Sequence, residues 1–296
     1  MIEGFAPVAH THEGVTISGV VGGSGPPVLL LHGYPQTRRM WHAVAPTLAR
    51  THTVVACDLR GYGDSDKPAP AADQSTYSKR TMAADQHAVM RSLGFDRYAV
   101  VGHDRGARVA HRLALDEPTA VERIAVLDIV PTLHMFEHVD RAMASTYFHW
   151  FFLALGNGLP ERLISGDPGA WLRSRFDGRS HSPWSLEPAS YAEYERCFTS
   201  PGAIEASVAD YRAAATIDLE HDRADHAAGT RIAAPLLALW GAHSYVGRNF
   251  DVAGIWRDYA GEVSAAAIES DHYLAEESPQ QVLGALTAFL DDGFGA

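Results

Sequence analysis

The chain has 296 residues, 46% of them hydrophobic, and a formal charge of −12 at pH 7. It is long enough for one large core plus a smaller subdomain, and its acidic balance excludes nucleic acid and anionic membranes as expected partners, because both need a basic face. Two cysteines, Cys57 and Cys197, supply neither a disulfide framework nor a metal-ligand cluster, and no metal or organic cofactor is implied.

Neither end of the length scale points to a membrane. The apolar run Trp150 to Leu155 is far too short to cross a bilayer, and Met1-Ile2-Glu3-Gly4 has no basic or apolar signal region, so a cytoplasmic location is expected. In chain order, Gly22-Gly23-Ser24-Gly25 lacks the Gly-Lys-Ser/Thr ending of a phosphate loop and reads as a turn. Pro27 to Leu31 then reads as a buried strand, residues 38–49 as a helix, Thr53 to Ala56 as a strand and residues 78–93 as a helix. Tyr98 to Val101 predicts a short buried strand and Ala107 to Leu115 a helix with one apolar face. Further strands are expected at Ile124 to Leu127, Pro235 to Leu239 and Val263 to Ile268. The last helix opens with Ser278 as N-cap, Pro279 at N1 and Gln281 at N3.

This alternation predicts an α/β fold with a mostly parallel sheet covered by helices. It stops from about Pro131 to Gly229, where helical periodicity and aromatics dominate. Residues 1–130 and 230–296 are therefore expected to form the core, with 131–229 as an inserted helical cap.

Gly102-His103-Asp104-Arg105-Gly106 lies between the strand and helix of a nucleophile elbow, with aspartate where the G-x-S-x-G form carries serine. A carboxylate is already anionic at pH 7 and can displace a leaving group from saturated carbon, giving an ester of the enzyme itself. Opening that ester requires a base, an acid to orient it and donors for an oxyanion. His272, after a late strand and before the final helix, is the candidate base. The loop after Trp240 has no carboxylate between Gly241 and Gly247, so Asp128, at the end of the preceding strand, is the candidate acid; Asp251 and Asp271 are the alternatives. Backbone N–H groups of Tyr34, in His32-Gly33-Tyr34-Pro35, and of Arg105 are the expected oxyanion donors.

Arg105 and Arg108, three residues apart beside an anionic nucleophile, suit a carboxylate-bearing substrate, because a guanidinium can pair both oxygens. A halide leaving group needs hydrogen-bond donors, and fluoride needs them most. His149, Trp150 and Tyr211 in the cap supply imidazole, indole and phenol groups.

His32 to Pro35, Asp58-Leu59-Arg60-Gly61-Tyr62-Gly63-Asp64-Ser65 and the elbow resemble motifs of α/β-hydrolases with an aspartate nucleophile: haloalkane dehalogenases, epoxide hydrolases and fluoroacetate dehalogenases. The resemblance runs from end to end. Asp104-Arg105-Gly106-Ala107-Arg108, Asp128-Ile129-Val130-Pro131-Thr132, His149-Trp150 and Tyr211 are similar to the pattern of fluoroacetate dehalogenases. That resemblance implies that Arg105 and Arg108 hold the carboxylate, that His149, Trp150 and Tyr211 bind halide, and that the chain forms a homodimer. Gly241 to Phe250 and Asp271 to Leu274 depart from the pattern, which bears on pocket size and substrate range.

The expected function is therefore hydrolytic dehalogenation of fluoroacetate or another short 2-haloacid, a small-molecule substrate. An epoxide hydrolase is the nearest rival, with Tyr147, Tyr191, Tyr194 and Tyr211 as tyrosines available to protonate the epoxide oxygen, and it would not need the paired arginines. A ligand receptor built on the same fold is a third reading.

Overall fold

In a computed structural model, residues 2–177, 179 and 186–291 are described. Eight strands form one sheet in the order β1-β2-β4-β3-β5-β6-β7-β8. They are β1 (Ala6–His12), β2 (Val15–Gly23), β3 (Pro27–Leu31), β4 (Thr53–Cys57), β5 (Tyr98–His103), β6 (Val121–Leu127), β7 (Leu236–Gly241) and β8 (Val263–Ile268). The pairs β1·β2 and β2·β4 are antiparallel and every later pair is parallel. The continuous apolar runs of β3 and β5 follow from this position, since central parallel strands are covered on both faces.

The helices of the core include α1 (Ala45–Leu48), α2 (Lys79–Ser92) and α3 (Arg105–Asp116). Ser78 caps α2 as its side chain accepts from the Thr81 N–H. Between β6 and β7 come α4 (Thr132–Glu137), α5 (Arg141–Thr146), α6 (Phe148–Leu153), α7 (Leu159–Gly166) and α8 (Pro168–Phe176). They are followed by α9 (Pro188–Phe198), α10 (Ala203–Ala214) and α11 (Ile217–Ala227). Among the described residues this insert contains no strand. After β7 come α12 (Tyr245–Asn249) and α13 (Val252–Tyr259), and after β8 come α14 (Leu274–Glu277) and α15 (Pro279–Asp291).

Four sequence expectations are corrected. The helix expected over 38–49 is a 3-10 turn at Arg38–Trp41 followed by the short α1, because Pro46 has no N–H with which to continue a ladder. Helix α3 is buried from Arg105 through Ala114, not on one face only, so its arginines must find partners inside. Ser278 and Gln281 do not close a capping box; Ser278 Oγ donates to the Glu269 carbonyl at 2.6 Å and Gln281 Oε1 accepts from the Glu269 N–H at 3.0 Å, tying α15 to the end of β8. The β1–β2 hairpin was not expected, although its alternating pattern around Glu13-Gly14, both at positive φ, carries the signal.

Candidate active site

The C-terminal ends of β3, β5, β6 and β7 converge on Asp104. Residue 104 leaves β5 and opens α3 with φ 47° and ψ −112°, a conformation that costs a non-glycine residue roughly 1–3 kcal/mol and that persists only where its surroundings enforce it. Gly102 and Gly106 permit the turn. A Cβ on Gly102 would lie 2.5 Å from the Gly106 carbonyl oxygen, and one on Gly106 would lie 2.4 Å from that of His32. The loop after β3 therefore lies directly against the elbow, and the Tyr34 N–H donates to Asp104 Oδ2 at 3.1 Å. The Asp104 N–H itself donates to Leu127 O at 3.2 Å, fastening the elbow to the end of β6.

One residue beyond that end, Asp128 receives His272. Oδ2 of Asp128 is 2.6 Å from His272 Nδ1, while Oδ1 accepts from the Gly241 N–H at 3.1 Å and from Ser244 Oγ at 2.6 Å. Asp251, one of the alternative acids, instead caps α13 by accepting from the Gly254 N–H. Asp271, the other alternative, is not the carboxylate bonded to the imidazole; its N–H donates to Glu277 Oε2 at 3.0 Å. The other ring nitrogen of His272, Nε2, is buried without a protein partner. His103 Nε2 bonds the His272 carbonyl at 2.8 Å, so the elbow and the histidine loop also hold each other.

The electrostatics favour a charged Asp104 beside a neutral imidazole. Burial alone would raise the Asp104 carboxyl, but His272, His103, Arg105 and Arg108 outweigh it and bring it down to about 2. At neutral pH the arginines carry this effect, because burial holds both imidazoles neutral, His103 at about 4 and His272 at about 3. The Arg179 guanidinium adds to the lowering of His272. Asp128 is raised by burial to about 6 against the donors Ser244 and Gly241, yet its short bond to His272 is satisfied by an ionised carboxylate accepting from a neutral Nδ1–H. His272 Nε2 is then a lone-pair acceptor, the form a general base requires.

Arg105 and Arg108 come from the first turns of α3 and are both charged. Arg105 forks onto Asp210, with Nε at 2.9 Å from Oδ2 and Nη2 at 2.6 Å from Oδ1, and its Cζ lies 4.2 Å from the Tyr211 ring centroid. Its Nη1 remains buried and unpartnered. Arg108 Nη1 donates to Val130 O at 3.1 Å and to Thr132 Oγ1 at 2.9 Å, its Cζ is 4.7 Å from the Trp150 ring, and its Nε is unpartnered. Burial and Arg105 together lower Arg108 to about 10, which leaves it protonated at neutral pH.

The insert closes the other side. His149 and Trp150 on α6 and Tyr211 on α10 are all buried. Tyr211 meets the His149 ring at 5.7 Å, the Trp150 ring at 6.3 Å and the Tyr34 ring at 5.2 Å. His149 Nδ1 and Trp150 Nε1 have no hydrogen-bond partner. Two guanidinium N–H groups, an indole N–H and the His149 ring nitrogen thus lack partners among the described residues within one packed set, and His272 Nε2 lacks one as well. Buried donors are rarely left unpaired, and a group of them is the pattern of a site that receives an anion.

Several contributors were missed in the sequence. Asp210 binds Arg105, accepts from the Tyr62 hydroxyl at 2.5 Å and pairs with the Lys79 ammonium. Its signal was its position immediately before Tyr211. Ser244 was read only as part of a loop without a carboxylate. Arg175 and Arg179 also flank the site, and Tyr147, one of the tyrosines named from the sequence, packs on His149 at 5.6 Å.

The model of the alpha/beta hydrolase fold matches residues 26–262. A fluoroacetate dehalogenase of Burkholderia sp is 42% identical over 293 residues, covering 99% of this chain and 96% of that protein. A soluble epoxide hydrolase of Corynebacterium sp. (strain C12) is 35% identical, covering 94% and 96%. Among solved structures, ALR0039 of Nostoc sp PCC 7120 superposes with a TM-score of 0.95 at 48% identity, covering 98% of this chain and 99% of that one.

Proposed function

The chain belongs to the α/β-hydrolase fold family, and from that premise we propose that it is a hydrolytic dehalogenase that converts fluoroacetate or another short 2-haloacid to the 2-hydroxy acid and halide. The observation that carries this reading is the group of polar atoms around Asp104 that have no partner among the described residues: the donors Arg105 Nη1, Arg108 Nε and Trp150 Nε1, and the ring nitrogen Nδ1 of His149. A neutral substrate leaves the two guanidinium groups unanswered; a haloacid answers them with its carboxylate and the insert with its halogen.

In the first step an Asp104 carboxylate oxygen attacks the halogen-bearing carbon from the side opposite the halogen. The carbon–halogen bond breaks, the halide leaves with the electron pair, and an aspartyl ester forms. Trp150, His149 and Tyr211 donate to the departing halide, while Arg105 and Arg108 fix the carboxylate and hence the line of attack. In the second step His272 Nε2 takes a proton from water, and the resulting hydroxide attacks the ester carbonyl. The Tyr34 and Arg105 backbone N–H groups receive the oxyanion, and each such donor is worth about 3 kcal/mol in a transition state of this kind. Collapse releases the 2-hydroxy acid, which takes the proton back from His272. Asp128 keeps Nδ1 protonated and offsets the charge that His272 acquires. The insert of residues 131–229 acts as the cap of this chamber.

A second reading, epoxide hydrolysis by the same nucleophile, is favoured by one observation: Tyr147 and Tyr211 flank His149 at 5.6 and 5.7 Å, so two phenols are near one another beside the site. The test is halide release from fluoroacetate and chloroacetate by the purified protein and by Asp104→Asn. Fluoride release that disappears in Asp104→Asn supports the first reading. Chloride alone keeps the class but removes the fluoride roles of His149, Trp150 and Tyr211. Release of neither, with diol formation from an epoxide, replaces it by the second.

A further inference from the structure

Two more guanidinium groups flank the site, and among the described residues neither has a carboxylate within ion-pair distance. Arg175, near the end of α8, is 4% exposed. Its Nε and Nη2 donate only to the hydroxyl of the adjacent Ser174, at 3.2 and 3.0 Å. Its Cζ lies between two rings, 4.4 Å from the centroid of Trp171 and 4.8 Å from that of Phe148. Arg179 follows three residues after α8, with its Cζ 5.2 Å from the Tyr147 ring. By contrast, the buried Arg60 and Arg112 are each paired, with Asp85 and with Asp222 and Asp225. A cation such as Arg175, buried against aromatic faces and a single hydroxyl, is only partly compensated, and an anion from solvent is the missing partner.

The rings that carry these two cations lead into the site. Trp171 Nε1 donates to the Tyr34 hydroxyl at 2.6 Å, and Tyr34 supplies the N–H on Asp104. Tyr147 packs on His149 at 5.6 Å and edge-on to Trp150 at 5.8 Å. In the other direction Phe148 is 43% exposed, so the ring sandwich around Arg175 reaches from solvent to the oxyanion loop. The charge balance of the chain gives such an arrangement a task. At −12 the protein repels a carboxylate at long range, and an anion needs local cations on its way in as well as at its destination.

We propose that Arg175 and Arg179 form a second anion-binding station, separate from Arg105 and Arg108, which takes a carboxylate from solvent and passes it to the elbow. The identity of that carboxylate as substrate rests on the haloacid reading; the station itself does not. Arg175 and Arg179 are positioning residues, acting on capture and not on bond breaking. Their removal lowers kcat/KM for a charged substrate far more than for a neutral one.

The experiment compares the parent with Arg175→Met, which keeps an unbranched stem between Trp171 and Phe148, with Arg179→Gln, and with both together. Chloroacetate and the neutral 2-chloroacetamide are assayed at low and high salt. The expected result is a fall of about tenfold in kcat/KM for chloroacetate per arginine at low salt, carried by KM, that shrinks at high salt. Chloroacetamide turnover by Arg175→Met stays within about twofold, and Arg175→Lys recovers most of the loss. An equal loss for both substrates, or none for chloroacetate, overturns the station. Acetate titration of Asp104→Asn by calorimetry provides a readout that needs no turnover. Two classes of acetate site are expected, with one remaining when both arginines are replaced; an unchanged isotherm overturns the proposal even if chloroacetate is a substrate. If no haloacid is hydrolysed, the functional reading fails while the calorimetry still decides the station.

Discussion

Asp210→Asn tests how the carboxylate-binding side is held together. The side chain is fully buried and accepts from Arg105 Nε at 2.9 Å, from Arg105 Nη2 at 2.6 Å and from the Tyr62 hydroxyl at 2.5 Å, and it also pairs with the Lys79 ammonium. Burial alone would raise its carboxyl, but Arg105 and Lys79 outweigh it and hold it well below the usual carboxylate range. Its folded value being depressed, its contribution to stability is complete above the ordinary aspartate range and is lost only in strong acid. Asparagine preserves the volume and one acceptor but leaves two buried cations short of a charge. Breaking a buried ion pair from one side costs about 3–5 kcal/mol. Lys79 retains Asp218 at 3.7 Å, so the middle of that range, about 4 kcal/mol, is expected. At about 2 °C per kcal/mol for a chain of this size, Tm falls by roughly 8 °C. Arg105, no longer forked, loses its fixed orientation, and KM for chloroacetate rises about tenfold, equivalent to ~1.4 kcal/mol. Urea unfolding followed by circular dichroism measures the first effect and halide release the second. Stability of Asp210→Asn within about 1 kcal/mol of the parent would refute the ion-pair account.

Three further perturbations address the chemistry and its surroundings. His272→Asn keeps Asp104 intact, so it is expected to release one halide per site and stop with the substrate's acid fragment esterified to Asp104, detectable as an intact-mass increase; continued turnover removes His272 as base. On the haloacid reading Trp150→Phe deletes one donor to the leaving group, and a hydrogen bond to an ion is worth about 1.5–3 kcal/mol. Fluoroacetate turnover should therefore fall roughly ten- to a hundredfold, more than chloroacetate turnover, and equal losses for the two halides would count against a halide contact. Burial pushes the Glu276 carboxyl up to about 8 despite the donors Tyr194 and Gln36, so the native state holds a proton that the unfolded chain gives up at about 4.5. Parent stability consequently declines as pH rises from 4.5 to 8. The advantage of Glu276→Gln should grow across that window to on the order of a few kcal/mol and then level off; urea curves for the two proteins that stay a constant distance apart between pH 5 and 8 would contradict it.

The parts of this molecule legible in its sequence are those in which local chemistry and tertiary position demand the same residues. Strands β3, β4, β5 and β8 are covered or terminated in ways that leave apolar runs bounded by turn residues, and β8 ends where periodicity places it. Asp104 and His272 stand in loops whose flanking elements are strongly patterned, and the absence of an acid after β7 directed attention to Asp128. What could not be read is long-range. Nothing local says that Asp210 must face Arg105 across 105 residues, or that Ser244 completes the lone pairs of Asp128. The spacing of the arginines on α3 suited a substrate carboxylate but did not say which of them an acid would claim; Arg105 forks onto Asp210 while its Nη1 has no partner among the described residues. The short helix at residues 38–41 was misread because its residues satisfy a helical period that Pro46 then interrupts.

The meeting of β6 and β7 at Asp128 has a consequence for how such an enzyme can change. One imidazole nitrogen is served by a carboxylate from the first strand end, and that carboxylate is in turn cradled by Gly241 and Ser244 from the second, with Ser244 Oγ only 2.6 Å away. Two neighbouring strand ends thus address one location, and the sheet fixes that location whichever end supplies the charge. The acid is portable: a lineage can move it from one loop to the next through an intermediate bearing both, without relocating nucleophile or base, and the vacated loop is then free to be remodelled for another substrate.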